Sequence, residues 1–409
     1  MKKNFTTFAL CAAFFLCSLS LYAVDFGLVF TQNAEVNVSD FDFENTNNDI
    51  SGVLAPRLTA LLGETDDLHI SAAVNYEADL GDGAEPLAII PELTRTDFAF
   101  SAGSADIRIG RMFYSDPLGI IANNLFDGAQ VSFITRNGNI RAGGWYTGFL
   151  YKKRAAITMT NNELQYSLVE VDYNDFVNTY CAPSRVLGAL EYDHPSLAGF
   201  VGLNISLIGQ FDMGDDQLNT QYFTAALSVP GQSCIFDVGG CFELIEYNDE
   251  MTPAFAADIG LTFILPTMLE KPIKLSGCYA SGVSEDKSWG AFLPVTTVTQ
   301  GEIVEAKFSG LSLVSLDFTG RLADLLSANM AFTYFIRNDW GTYQSYPAAG
   351  GAAEGAFLGG ELFGRLIWNI STGIRLNLGT GVFLPSLGDV NPDGYILWRS
   401  KLNLVISMY

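Results

Sequence analysis

Histidine is almost missing from this chain: two in 409 residues, His69 and His194. Neither His69, on the polar parity beside Asp66, Asp67 and Ser71, nor His194, before Pro195 in a turn, completes a serine or carboxylate constellation of the kind hydrolytic barrels use. A glycine-rich phosphate loop, a CxxC pair and an HExxH helix are also missing. These absences exclude the common enzyme classes, and no cofactor is expected. Apolar runs of 18 residues or more are missing beyond the leading segment, which excludes helical membrane spans. Basic side chains are scarce, 22 against 45 acidic ones, for a net charge of −23. So acidic a chain excludes nucleic acid as a partner. The acidic run Asp40, Asp42 and Glu44 lacks an EF-hand pattern, so no metal site is expected. Of six cysteines, Cys11 and Cys17 fall in the leader, each after a leucine rather than the small residue a lipid anchor requires. Cys234 and Cys241 share a predicted strand, where seven steps put them roughly 23 Å apart. With Cys181 and Cys278 they read as four free thiols.

What the chain does have is one small unit, repeated. About ten residues alternate apolar and polar, and then a turn follows. Val201, Leu203, Ile205, Leu207 and Phe211 fall on one parity; Asn204, Ser206, Gln210 and Asp212 fall on the other. Successive strand side chains point to opposite faces, so one face is apolar and the other wet. A leader precedes this pattern, with Lys2 and Lys3 ahead of the apolar stretch Phe5 to Leu21 and a cleavage end at Tyr22-Ala23. Residues 1–23 are therefore read as a signal peptide and 24–409 as one domain.

Connections take turns between short and long. Short ones are predicted at Gly63–Asp67, Ala102–Ser104, Asn137-Gly138-Asn139, Asn161-Asn162, Pro195–Ala198, Pro230–Gln232, Thr267–Lys271, Ala323–Leu326 and Ser371–Gly373. Long ones are predicted at Ser39–Asp49, Asp79–Glu92, Ser115–Phe126, Tyr173–Pro183, Ser284–Val304, Asp339–Glu354 and Ser386–Asp393. A soluble sandwich has no reason to gather its long loops at one end, whereas an exported barrel does. The fold class is thus all-β: a single transmembrane, antiparallel, up-and-down barrel with short periplasmic turns and long extracellular loops. It has twenty strands if 151–160 and 163–172 pair, eighteen if that stretch is loop. A parity switch near Val314, between Leu311/Leu313 and Leu316/Phe318, predicts a bulge there.

The last strand, Tyr395 to Tyr409, puts Trp398, Leu402, Leu404, Ile406 and Met408 on one face and Arg399, Lys401, Asn403 and Ser407 on the other. With its terminal aromatic, although out of phase with the apolar face, the chain resembles bacterial outer-membrane barrels of the general or substrate-selective porin type. The resemblance implies an outer-membrane location, lipid and the barrel-assembly machinery as partners, and compatibility with a homotrimer. It also implies that the third long loop, Ser115–Phe126, folds into the barrel and narrows it. Asp116 and Asp127 would then flank the constriction. That loop is unusually apolar, with Pro117, Leu118, Ile120, Ile121, Leu125 and Phe126, so it must pack against something.

The few basic residues lie mostly on polar parities. Arg95 and Arg108 are assigned to the lumen wall. Arg365, Arg375, Arg399 and Lys401 come from three consecutive strands and should form a basic patch, with Glu361 beside it. Facing acidic loops, such a patch would set a transverse field. Together these readings predict a passive channel for small hydrophilic solutes or ions, mildly cation-preferring because of the acidic excess. The alternative is a surface adhesin or antigen that acts through its outer loops.

Overall fold

The computed structural model describes residues 23–42, 46–62, 66–79, 88–214, 217–265, 271–284, 288–339 and 355–408. The leader, the turns at 63–65 and 266–270, and the cores of the 79–92 and 339–354 loops lie outside these residues.

Alternation becomes strands because a period of two buries one face only in extended backbone. Eighteen of them form one antiparallel sheet. The first half comprises β1 (Ala23–Ser39), β2 (Thr46–Leu61), β3 (Asp67–Asp79), β4 (Ala88–Ala102), β5 (Ala105–Ser115), β6 (Asn123–Thr135), β7 (Gly138–Tyr146), β8 (Arg185–Leu197) and β9 (Val201–Asp212). There follow β10 (Leu218–Pro230), β11 (Cys234–Tyr247), β12 (Glu250–Leu265), β13 (Lys271–Ala280), β16 (Leu311–Ala323), β17 (Leu326–Arg337), β18 (Phe357–Ser371), β19 (Ile374–Leu384) and β20 (Leu397–Met408). Two short strands, β14 (Thr299–Gln300) and β15 (Ala306–Lys307), pair only with each other. Each long strand pairs with its sequence neighbour, and β20 pairs with β1 from Leu28↔Met408 to Ser39↔Leu397. The sheet has no free edge, so it is a closed up-and-down barrel.

The outer surface is a continuous apolar band. Ile109, Phe113, Leu207, Phe223, Ile259 and Leu366 are among its exposed members, while Ser206, Gln210, Thr220 and Thr224 on the opposite parity are buried inside. Water cannot stabilise such a band; a bilayer can. Among the described residues no helix is long and apolar enough to cross a membrane. The barrel therefore crosses with its strands.

Eighteen is the lower of the two expected counts. Residues 151–180 are not a strand pair, and Asn161-Asn162 is not a turn: the stretch forms α1 (Lys152–Ala155), α2 (Asn161–Leu168) and α3 (Phe176–Tyr180) within one long connection. Helix α2 opens with a capping box, in which Thr160 Oγ1 accepts from the Glu163 N–H and Glu163 Oε2 from the Thr160 N–H. That reciprocal pair commits the segment to helix. The expected bulge at Val314 is also absent. Registers to β13 and β17 run unbroken through that residue, and the shift falls at Arg321/Ala323 instead. Leu311 and Leu313 are lumen-facing apolar residues, buried by a loop that enters the barrel. Alternation therefore never switches; the inside is simply apolar at that height.

Candidate functional site: the barrel lumen and its inward loops

Among the described residues, three outer connections enter the barrel. The third, between β5 and β6, tightens on its own aspartate: Asp116 Oδ1 accepts from the Ile121 and Ala122 N–H groups (2.8 Å each), and Oδ2 from Leu118 N–H (3.0 Å). Burial pushes the Asp116 carboxyl above its usual range, and these amides pull the other way. The loop's apolar side chains Ile120 and Ile121 join Tyr114, Phe126, Trp145 and Tyr222 in the main buried cluster. Leu118 reaches the far wall at β11, where Gly239 has no side chain and a Cβ would collide with it.

The seventh connection lies between β13 and β16, and its residues 288–310 run across the lumen, fastened at both ends by carboxylates. Near β10 and β11, Tyr222 donates to Leu293 O (2.6 Å) and Glu243 Oε2 accepts from Leu293 N–H (3.0 Å), with Phe292 between Tyr222 and Phe308. At the other end Glu361 accepts from three successive amides, Glu302 (2.6 Å), Ile303 (3.1 Å) and Val304 (3.1 Å). The loops also hold one another. Thr296 N–H donates to Ile121 O, Asn123 N–H to Thr296 Oγ1, and Lys307 Nζ to Thr158 O in the fourth connection.

These apolar packings lie mainly along β5–β13, so the remaining space runs beside β1–β4 and β18–β20. Two adjoining cavities mark it, of about 420 and 390 Å³, sharing Asn33 and Ser51. The first is also lined by Asn75, Glu77, Tyr151, Lys153 and Arg154, the second by Glu35, Arg365, Asn377, Lys401 and Asn403. Between them runs a row of side-chain amides: Asn377 Nδ2 donates to Asn403 Oδ1 (2.8 Å) and Asn403 Nδ2 to Asn33 Oδ1 (2.6 Å). The row follows from register, since Asn377, Asn403, Asn33 and Ser51 are successive cross-strand partners.

The sequence-predicted residues separate into groups. Arg365 on β18 and Arg399 and Lys401 on β20 do come together, with Gly379 of β19 between Arg365 and Lys401. Each meets an acid of the seventh loop: Arg365–Glu302 at 2.7 Å, Arg399–Glu305 at 2.8 Å and Lys401–Glu305 at 2.9 Å. Arg399 also reaches Glu35 (3.1 Å). Burial alone would raise the Glu305 carboxyl, but the Lys401 hydrogen bond and the Arg399 charge outweigh it and hold it below its usual range. Glu361 is buried beneath the loop as its anchor. Arg375 stands apart, near the Ser371 turn, with its Nε on Asn369 Oδ1 (3.0 Å). Arg95 and Arg108 share Asp97 on another wall, at 2.6 and 3.2 Å.

Two placements differ from expectation. Asp116 does not face the open lumen, because its carboxylate is spent on its own loop's amides. Asp127 lies on the outward parity, next in sequence to the inward Phe126, in an ion pair with Arg111 (2.7 Å). Sequence reasoning missed Glu302 and Glu305, which carry no local signal, and Lys153 and Arg154, which lie in the stretch read as strand or loop.

A closed eighteen-stranded barrel with an apolar exterior, a polar passage and folded-in loops has the architecture of an outer-membrane porin. Similar solved structures are Pseudomonas aeruginosa OccK2 (OpdF), at TM-score 0.60 and 9% identity over 94% of this chain and 98% of that one, and P. aeruginosa outer-membrane protein OpdK, at 0.59 and 9% over 94% and 99%. OccK2 in complex with glucuronate aligns at 0.59 and 10%, over 94% and 99%. At such identity the likeness is one of fold. No protein-family model matches the chain, and no curated protein matches it in sequence.

Proposed function

We propose that this protein is a passive outer-membrane channel for small hydrophilic solutes and ions, mildly cation-preferring. The observation that carries this reading is the amide-lined space left beside β1–β4 and β18–β20 after the inward loops have filled the rest. A merely structural barrel of this width would have no use for a hydrated track through its interior. On this reading the constriction belongs to the third, fourth and seventh loops jointly. The third supplies bulk, while the fourth and seventh supply the charges that face the passage. The glucuronate of the OccK2 complex is a solute of suitable size and polarity.

Cation preference rests on which charges remain uncompensated. On the wall of β11, β12, β13 and β16, Asp237, Asp258 and Asp317 share the lumen parity with a single Lys274; Gly260 lies between Lys274 and Asp237. The basic trio on the opposite side is cancelled by loop acids. A low-dielectric tube with that balance enriches cations. The test is planar-bilayer recording of the detergent-folded protein in a salt gradient. Discrete conductance with a reversal potential favouring potassium is expected. A chloride preference overturns the selectivity, and insertion with neither current nor liposome swelling overturns the channel in favour of an adhesin.

A further inference from the structure

We infer that Glu302 and Glu305 are the selectivity-determining residues of this lumen: built-in counter-ions that mask an otherwise anion-attracting wall. This deepens the channel reading and rests on it.

Three features distinguish them from ordinary tethers. Their backbone is fixed without their side chains. Glu361 takes the amides of Glu302, Ile303 and Val304, and Ile303 and Val304 are buried with Leu311, Leu313, Phe335 and Phe363. Gly301, at φ +84°, turns the chain where a side chain would meet Glu361 and Phe335. The two carboxylates are therefore delivered to one place by a scaffold that would survive their loss. Second, they face water, at 39% and 44% side-chain exposure, and partly exposed ion pairs contribute little to stability. Third, their targets are the three cations of one wall: Arg365 (2.7 Å from Glu302), Arg399 (2.8 Å from Glu305) and Lys401 (2.9 Å from Glu305, 3.6 Å from Glu302). With Glu35 on Arg399, three positive charges meet three negative ones. Without the loop pair, a net positive wall would line the second cavity.

The experiment is Glu302→Gln/Glu305→Gln in the full chain, recorded in planar bilayers under a potassium chloride gradient. Two charges a few ångströms from the path, screened by water and salt, should lower the potassium-to-chloride permeability ratio on the order of fivefold. Adding Arg365→Gln and Lys401→Gln to the double variant should return the ratio toward wild type. If the double variant yields too little folded protein, Glu305→Gln alone should give a smaller shift of the same sign. A ratio unchanged from a conducting wild type refutes the inference alone. So does a rise in conductance at constant ratio, the signature of a tether cut. A wild type that inserts but carries no current refutes the channel and this inference together.

Discussion

Replacing Asp116 by alanine tests how the third loop is held. The carboxylate satisfies three loop N–H groups, Leu118, Ile121 and Ala122, of which the last two lie in fully buried residues. Each amide left dry and unpaired costs about 1–3 kcal/mol, so with two of them in fully buried residues Asp116→Ala removes on the order of 2–6 kcal/mol from the inward conformation. What remains is burial of Ile120 and Ile121, about 2 kcal/mol each, and two bonds to the Thr296 region, about 1 kcal/mol each. The loss and the remainder are of similar size, so the loop should open for a substantial fraction of the time. Asp116→Asn keeps an acceptor for Ile121 and Ala122 but sets an amide NH2 against Leu118 N–H, and should lose only about 1–3 kcal/mol. Hydrogen exchange of the Ile121 and Ala122 amides reads the effect directly: fast in the alanine variant, intermediate in the asparagine variant. Single-channel recordings should show larger, noisier conductance in the same order. Wild-type protection of both amides in Asp116→Ala would refute the reasoning, whatever the conductance.

Acidification should reproduce part of the unmasking. Glu305 is held below its ordinary value of 4.5, so its contribution is present above that pH and lost as pH falls through the depressed value. The reversal potential should therefore shift toward chloride in a step below about pH 4.5 that Glu305→Gln lacks. Arg185 is wholly buried against Glu163 (2.6 Å) and Asp212 (3.0 Å); Arg185→Met leaves two carboxylates unpaired and should lower the urea stability of the fourth loop by about 3–5 kcal/mol. Gly239→Ala drives a methyl into Leu118 and Asp258, and should shift the third loop enough to raise exchange at Leu118 without altering the barrel's heat-modifiable mobility on gels. All four described cysteines are free, so reductant should leave the thermal midpoint unchanged.

How much of this was legible depends on whether a residue's partners are local. Val201–Asp212 could be read because alternation is a property of the strand itself, and it holds in the barrel with Leu207 out and Gln210 in. Gly138 announced its hairpin because few residues tolerate its φ of +151°. The capping box at Thr160 and Glu163 was also local, and it outranks Asn161-Asn162 as a turn signal. Leu311 and Leu313 misled because alternation assumes a wet interior, and here a loop some ten residues upstream makes the interior apolar. Asp127, just past the loop, was misplaced as a flank of the constriction; its parity, opposite to that of the inward Phe126, settles its side. Glu302 and Glu305 were out of reach in principle. Their partners are 60 to 100 residues away in sequence, and only closure of the barrel brings Arg365, Arg399 and Lys401 to them.

One physical problem accounts for the loop chemistry throughout. A segment entering a water-filled tube gives up hydration of its backbone without gaining a sheet partner, so its amides need acceptors from elsewhere. A neutral side-chain amide offers a single acceptor oxygen. A carboxylate can take two or three backbone amides, and does so at Asp116 and Glu361, with Glu243 taking one. That use withdraws acids from the passage, and it separates two populations of negative charge that composition cannot distinguish. Acids that hold loops are buried and fixed, whereas Glu302 and Glu305 are half-exposed and paired with cations. The net charge of −23 is thus a poor guide to the field along the path. The informative quantities are the balances left on each wall: three aspartates against Lys274 along β11–β16, and on β18–β20 two loop glutamates that separate a neutral surface from a positive one.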